Sequence, residues 1–233
     1  MDRGPLTSSG DHIDPTEVSE RAAALRHRIE VASPHRDIRV VAVTKGFGVE
    51  APRAALAAGF TMLGENYGQE LLRKNELLTP EERSRVEWHF LGRLQRNKVR
   101  SLAPIVSVWQ SVDRTELIDE IARRAPSARI MVQLNLSDEP QKGGASFDEC
   151  DALVDHARTR GLDVIGLMGV GRAGEAEATA EAFARLVATA EALSLAERSI
   201  GMSDDLELAI AAGSTMVRVG TGLFGQRAPK SGI

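Results

Sequence analysis

Residues 38–45 read Ile38-Arg39-Val40-Val41-Ala42-Val43-Thr44-Lys45, a β-branched apolar run that ends in a lysine. An unbroken apolar run, rather than an alternating one, fits a parallel strand covered on both faces. Downstream of it similar runs recur, and each is paired with a helical pattern. The spacing predicts strands at 61–63, 86–91, 105–112, 129–136, 164–170, 199–202 and 215–220. Helices are predicted at 49–59, 67–78, 95–103, 114–125, 147–160, 175–195 and 204–212. Upstream, Asp14-Pro15 is a helix start, and Val18, Ala22, Leu25 and Ile29 share one face before Pro34 stops the helix. Eight strand–helix units behind an extra N-terminal helix predict an α/β fold, a single (β/α)8 TIM barrel. The same alternation allows a doubly wound open sheet.

The chain has 233 residues, 42% apolar and 27% charged, with a net charge of −4. This is the balance of one soluble globular domain, placed at 15–233 behind a loose tail at 1–14. A mildly acidic chain argues against nucleic-acid binding. No apolar run reaches the ~20 residues that span a bilayer, and the polar first residues lack the apolar stretch of a signal peptide. A single cysteine, Cys150, excludes an intramolecular disulfide and any cysteine-based metal cluster. The five histidines are scattered, and no spacing suggests a metal site. The expectation is a cytoplasmic protein, most simply a monomer, without membrane or nucleic-acid partners.

Of five lysines, only Lys45 ends an apolar strand. Barrels place chemistry at the C-terminal ends of their strands. A partly desolvated amine there is a nucleophile towards carbonyls, although a lysine snorkelling out of the mouth fits equally well. Near the other end, Ser203 follows the seventh strand and heads a helix, while Gly220-Thr221-Gly222 follows the eighth. Loops at those positions commonly hold phosphate, and Ser203 also fits a helix cap. Arg218 interrupts an apolar strand and needs a partner, either an ion pair inside the barrel or a ligand heteroatom. Asn66 and His89 lie at or near the predicted mouth; His89, between two aromatics, also fits a core histidine. One combination joins these points. Pyridoxal 5′-phosphate, held by its phosphate at strands seven and eight, would present its aldehyde to Lys45 on strand one.

Several stretches carry a family resemblance: Val41-Ala-Val-Thr-Lys45, Gly64-Glu-Asn-Tyr-Gly-Gln-Glu70, Trp88-His-Phe-Leu-Gly92, Leu94-Gln-Arg-Asn-Lys98, Gly201-Met-Ser-Asp-Asp205 and Ala211 through Gly220 to Phe224-Gly225. The chain resembles the YggS/PROSC family of pyridoxal-phosphate homeostasis proteins over about Val40 to Arg227. The resemblance implies a single barrel like that of alanine racemase. It also implies that Lys45 forms the Schiff base with pyridoxal 5′-phosphate. Ser203, Gly220 and Thr221 then surround the phosphate, with Met202 in the same cofactor-binding set. Arg218 faces the pyridine nitrogen, and Asn66 and His89 lie near the cofactor. The family buffers or delivers the cofactor, with apo forms of cofactor-dependent enzymes as recipients, so no catalytic residue is assigned. An arginine at the ring nitrogen makes the ring a poorer electron sink, and Tyr67 is the only tyrosine open to a second-base role. An amino-acid racemase using Lys45, or a Schiff-base aldolase without cofactor, is the alternative. The chain departs from its relatives at Gly46-Phe-Gly48, at Arg93, and in the loop Leu167 to Arg172, around the mouth.

Overall fold

The computed structural model describes residues 13–137, 143–172 and 174–226. Helix α1 (Pro15–Ala32) begins where Asp14 Oδ1 accepts the Thr16 N–H at 2.8 Å, with proline in the first turn. Its buried stripe is Val18, Ala22, Leu25 and Ile29, as the spacing predicts. Of the predicted tail, Ile13 is buried and Asp14 is this cap; residues 1–12 lie outside the described residues.

Eight parallel strands come next: β1 (Arg39–Val43), β2 (Met62–Glu65), β3 (Glu87–Phe90), β4 (Val106–Val112), β5 (Arg129–Leu134), β6 (Asp163–Gly169), β7 (Glu197–Ser199) and β8 (Met216–Val219). They pair in chain order, and β8 returns to β1 with Arg218 opposite Val41. This closure is the predicted barrel and excludes the open sheet. Around it run α2 (Glu50–Ala57), α3 (Gly68–Leu77), α4 (Pro80–Arg85), α5 (Arg96–Leu102), α6 (Thr115–Arg124), α7 (Cys150–Thr159), α8 (Ala176–Ala192), α9 (Leu206–Ala212) and the single turn α10 (Thr221–Phe224). Among the described residues, no helix is long and apolar enough to cross a membrane.

Three elements differ from the sequence reading, among them the turn α10, which was not expected. The seventh strand is Glu197–Ser199, not 199–202. Gly201 has φ +98° and turns the chain out of the sheet; a side chain there would also meet Ala209 Cβ at 2.5 Å. Helix α4 was not expected, yet its signal is present in Thr79-Pro80-Glu81-Glu82. Thr79 Oγ1 accepts the Glu82 N–H at 3.2 Å, and Glu82 Oε2 accepts the Thr79 N–H at 2.7 Å, a complete capping box.

Alternate strand residues face into the barrel or out to the helices. Outward, Ala42, Leu63, Trp88, Trp109 and Val217 join the main core. Inward, Val41, Val108, Met131, Met168 and Met216 form a smaller apolar layer. Below that layer, the first residue of each odd strand is charged: Arg39 pairs with Glu197, and Arg129 with Glu87 at 2.8 Å. The N-terminal end of the barrel is thus closed by neutralised pairs. The C-terminal end carries the polar loops.

Candidate functional site at the barrel mouth

Lys45 stands two residues past the end of β1 and is half-buried. Across the β1–β2 pairing Val43 faces Gly64. Two residues further on, Lys45 and Asn66 therefore leave neighbouring strands side by side. Gly46, at φ +79°, turns the chain away in a conformation that glycine adopts without strain.

The backbone on both sides of Lys45 is held by a charged cluster that sequence reasoning missed. Lys74 of α3 lies almost fully buried, its side chain 4% exposed, against a fully buried Glu65. Its Nζ donates to Glu65 Oε1 and to the Thr44 carbonyl, the latter at 2.6 Å. Thr44 Oγ1 donates to the same Glu65 oxygen at 2.9 Å, and the Asn66 N–H reaches Glu65 Oε2 at 3.1 Å. Glu70, whose Oε2 is 3.7 Å from Lys74 Nζ, accepts the Gly46 N–H at 2.7 Å. The residues before and after Lys45, together with Asn66, are thus tied to one buried ion cluster. Burial raises the Glu65 pKa above its ordinary value, against the lowering effect of Lys74. A signal for this existed: Leu71, Lys74 and Leu78 recur at helical spacing, and all three are buried.

The loops after β7 and β8 meet as expected, but not through a cap. Ser203 does not head a helix; the residue at the start of α9 is Asp205. The Ser203 hydroxyl instead accepts the Gly222 N–H at 3.1 Å, joining the two loops directly. Asp205 Oδ1 accepts the Met202 N–H at 2.6 Å, which turns that carboxylate back into its own loop. From α1, Arg28 donates to the Ser203 carbonyl at 3.2 Å and forms a two-bond pair with Glu207 at 2.7 and 2.9 Å. The extra N-terminal helix therefore braces the Ser203 loop. Gly220 packs against the end of β1, where a Cβ on it would sit 3.2 Å from the Val43 carbonyl. Met202, Ser203, Gly220, Lys45 and Asn66 lie on loops or strand ends at this mouth and Thr221 begins α10 there, all at least partly exposed.

Arg218 lies below them, 5% exposed. Among the described residues no carboxylate pairs with it, so the expected alternative of an internal ion pair is not what holds it. Its Nη1 donates to the Ser199 carbonyl and hydroxyl at 2.5 and 2.8 Å, and its Nη2 to the Gly169 carbonyl at 2.7 Å. Burial lowers its pKa to about 10, against a smaller raising effect of Asp205, and this leaves it cationic at pH 7. Behind it, Ser199 Oγ bonds Gln110 Oε1 at 2.7 Å, and Gln110 Nε2 meets His89 Nδ1 at 2.6 Å. His89 has no exposed surface. It lies inside the barrel rather than at the mouth, and faces the mouth only through Gln110, Ser199 and Arg218. Since Gln110 Nε2 is a donor, Nδ1 accepts and the ring proton sits on Nε2, 3.4 Å from Glu87. Burial lowers the His89 pKa, which keeps the ring neutral.

The chain is matched over residues 21–228 by the family described as alanine racemase, N-terminal domain. It is 36% identical over 229 residues to the pyridoxal phosphate homeostasis protein of Escherichia coli K12, covering 91% of this chain and 97% of that one. It belongs to the pyridoxal phosphate homeostasis protein family. The homologue from Deinococcus radiodurans is 38% identical over 194 residues, covering 80% of this chain and 88% of that one. Among solved structures, PipY of Synechococcus elongatus with PLP bound superposes with a TM-score of 0.75 at 32% identity, covering 89% of this chain and all of PipY. Alanine racemase from Corynebacterium glutamicum, at 15% identity and a TM-score of 0.73, shares the fold, with this chain covering 63% of its length.

Proposed function

We propose that this protein binds pyridoxal 5′-phosphate through Lys45 and buffers or delivers it, with little or no turnover of its own. The observation that carries the reading is the mouth itself. A strand-end lysine, two joined loops and a buried arginine without a carboxylate partner among the described residues support this reading. The residues present fit the group. Lys45 would join its aldehyde, while Met202, Ser203, Gly220 and Thr221 would hold its phosphate. Arg218 would face its ring nitrogen, with Asn66 beside Lys45. His89 would act only from behind, by fixing Gln110 and so Ser199 and Arg218.

When bound, the cofactor supplies an aldehyde that condenses with amines and a ring that can withdraw electrons. The chain's own groups limit that chemistry. Arg218 remains cationic at neutral pH, so it donates hydrogen bonds and does not accept a proton. Opposite a ring nitrogen it keeps that nitrogen unprotonated, which weakens electron withdrawal and disfavours racemisation. The name shared by the curated relatives and the PLP-bound form of PipY support the same reading. Acceptors would be apo forms of enzymes that use this cofactor, and the protein would act as a monomer in the cytoplasm.

Titration with pyridoxal 5′-phosphate should produce a visible absorption band, and borohydride should fix the adduct on Lys45 in a peptide map. A band that survives Lys45→Ala would overturn the assignment. Loss of the α-proton of L-alanine in D₂O, dependent on Lys45, would replace the carrier reading by the racemase.

A further inference from the structure

Two segments that follow β2 and β3, 66–69 and 92–98, contribute only Asn66 to the mouth described above. The fold nevertheless brings them together. β2 runs into α3 at Tyr67, β3 runs into the loop before α5, and Arg114 follows β4. Between these lies an open groove of about 800 Å³ at the C-terminal end of the barrel. That volume is within the usual range for small-ligand sites. Its floor is tightly built, since a Cβ on Gly92 would sit 1.9 Å from the Asn66 carbonyl oxygen. The two stretches therefore pack backbone to backbone.

The lining is one-sided in charge. Arg93, Lys98 and Arg114 contribute to it and, among the described residues, no carboxylate does, in a chain of net charge −4. Arg114 is fixed by Asp113 at 2.5 Å and by the Leu94 carbonyl at 2.9 Å. Arg93 and Lys98 have no ion-pair partner among the described residues. The side chains of Asn66, Gln69 and Gln95 likewise make no hydrogen bond there, and Tyr67 stands 55% exposed. Arg114 apart, the groove thus gathers donors that no described residue uses. Arginine forks and a lysine ammonium are the groups that bind carboxylate and phosphate oxygens.

We propose that this groove is a second binding site, for a small molecule carrying a carboxylate or a phosphate, held by Arg93, Lys98 and Arg114 next to the cofactor mouth. Asn66 belongs to both, so an occupant would lie against anything bound at Lys45. The site does not depend on the cofactor reading, and its test keeps the two apart.

The probes are succinate, inorganic phosphate and neutral succinamide, titrated calorimetrically into full-length protein saturated with pyridoxal 5′-phosphate, so that the Ser203 loop is filled. Succinate has no amine and leaves the lysine adduct intact. At least one anion should bind, succinamide should not, and the affinity should fall by about tenfold or more in Lys98→Ala and further in the Arg93→Ala/Lys98→Ala double variant. The cofactor absorption band should be unchanged in both variants. Comparing succinate with phosphate assigns the oxyanion. Absence of heat from both anions, or heat unaffected by the double variant, would overturn the site. Binding confined to a Glu-rich hexapeptide would replace it with a protein-docking surface. If the wild-type protein takes up no pyridoxal 5′-phosphate, the cofactor reading fails instead, and the same titrations proceed on the Ser203→Ala protein.

Discussion

Lys74→Met separates the electrostatic role of the buried cluster from its packing role. Methionine keeps a chain of similar length and an apolar stem, so it leaves little cavity and removes mainly the charge. The Lys74 and Glu65 side chains are 4% and 0% exposed, which places the pair in the fully desolvated class. Removing one partner of such a pair costs about 3–5 kcal/mol, because the other charge stays buried alone. For a chain of this length that corresponds to a fall in Tm of roughly 6–20 °C.

The cost depends on pH, and its sign is set by Glu65. Burial already raises its folded pKa above the unfolded value of 4.5. A carboxyl with a raised folded pKa contributes stability below its unfolded value and loses it as pH rises through the folded one. Without Lys74 the opposing attraction disappears and the folded pKa rises further. At pH 8 the variant must bury a lone carboxylate or take up a proton. At pH 5 the neutral acid is accommodated at less cost. Urea and thermal unfolding followed by circular dichroism at both pH values should therefore show a deficit that shrinks at pH 5. It should be partly repaired in Lys74→Met/Glu65→Gln. A deficit below about 1 kcal/mol, or one equal at both pH values, would contradict this account of the pair.

Ser199→Ala removes one acceptor from Arg218 and the donor to Gln110 Oε1; a loss of about 1–3 kcal/mol in urea unfolding is expected. Gly92→Ala drives a methyl group into the Asn66 carbonyl and should destabilise by about 1–3 kcal/mol or more, which a thermal melt would read. Wild-type stability should decline as pH falls through about 6.5, because burial lowers the folded pKa of His89, so its contribution is complete above the unfolded value and is lost below it. Glu87 adds to this at lower pH. Contact with His89, assisted by Arg129, holds it at about 2, so its contribution is present above 4.5 and disappears towards 2. A His89→Asn variant should show a shallower slope between pH 7 and 5 in chemical denaturation.

The barrel was legible because most of its strands contain unbroken apolar runs, a pattern that parallel closure favours and that local sequence displays. Lys45 and Arg218 were legible for the complementary reason: each is a charge set in or at the end of an apolar run. The end of β7 was misplaced because Ile200 continues the apolar run while Gly201 at positive φ has already left the sheet. Lys74 escaped notice because its neighbours Arg73, Asn75 and Glu76 make the segment look solvated. Only the helical spacing of Leu71, Lys74 and Leu78 marks its inward face. The place of His89 depends on Gln110 and Ser199, which lie 21 and 110 residues away along the chain, so no local pattern contains it. The groove is invisible for the same reason, since its two walls meet only through the pairing of β2 with β3.

The two ends of the barrel interior treat their cations differently, and the difference has a consequence for the mouth. At the N-terminal end each arginine meets a carboxylate, Arg39 with Glu197 and Arg129 with Glu87, so the charges cancel. Near the C-terminal end Arg218 contacts, among the described residues, carbonyls, a hydroxyl and, through that hydroxyl, an amide. Asp205 acts on it from a distance, without a bond. Carbonyl dipoles orient a guanidinium and offset part of its desolvation, but they do not neutralise it. The interior therefore presents incompletely compensated positive charge towards the mouth, in a medium where screening is weak. A carboxylate at position 199, whose hydroxyl already meets Arg218, would pair with it and erase that field. The choice of neutral acceptors is what makes this end of an acidic protein attractive to an anionic ligand.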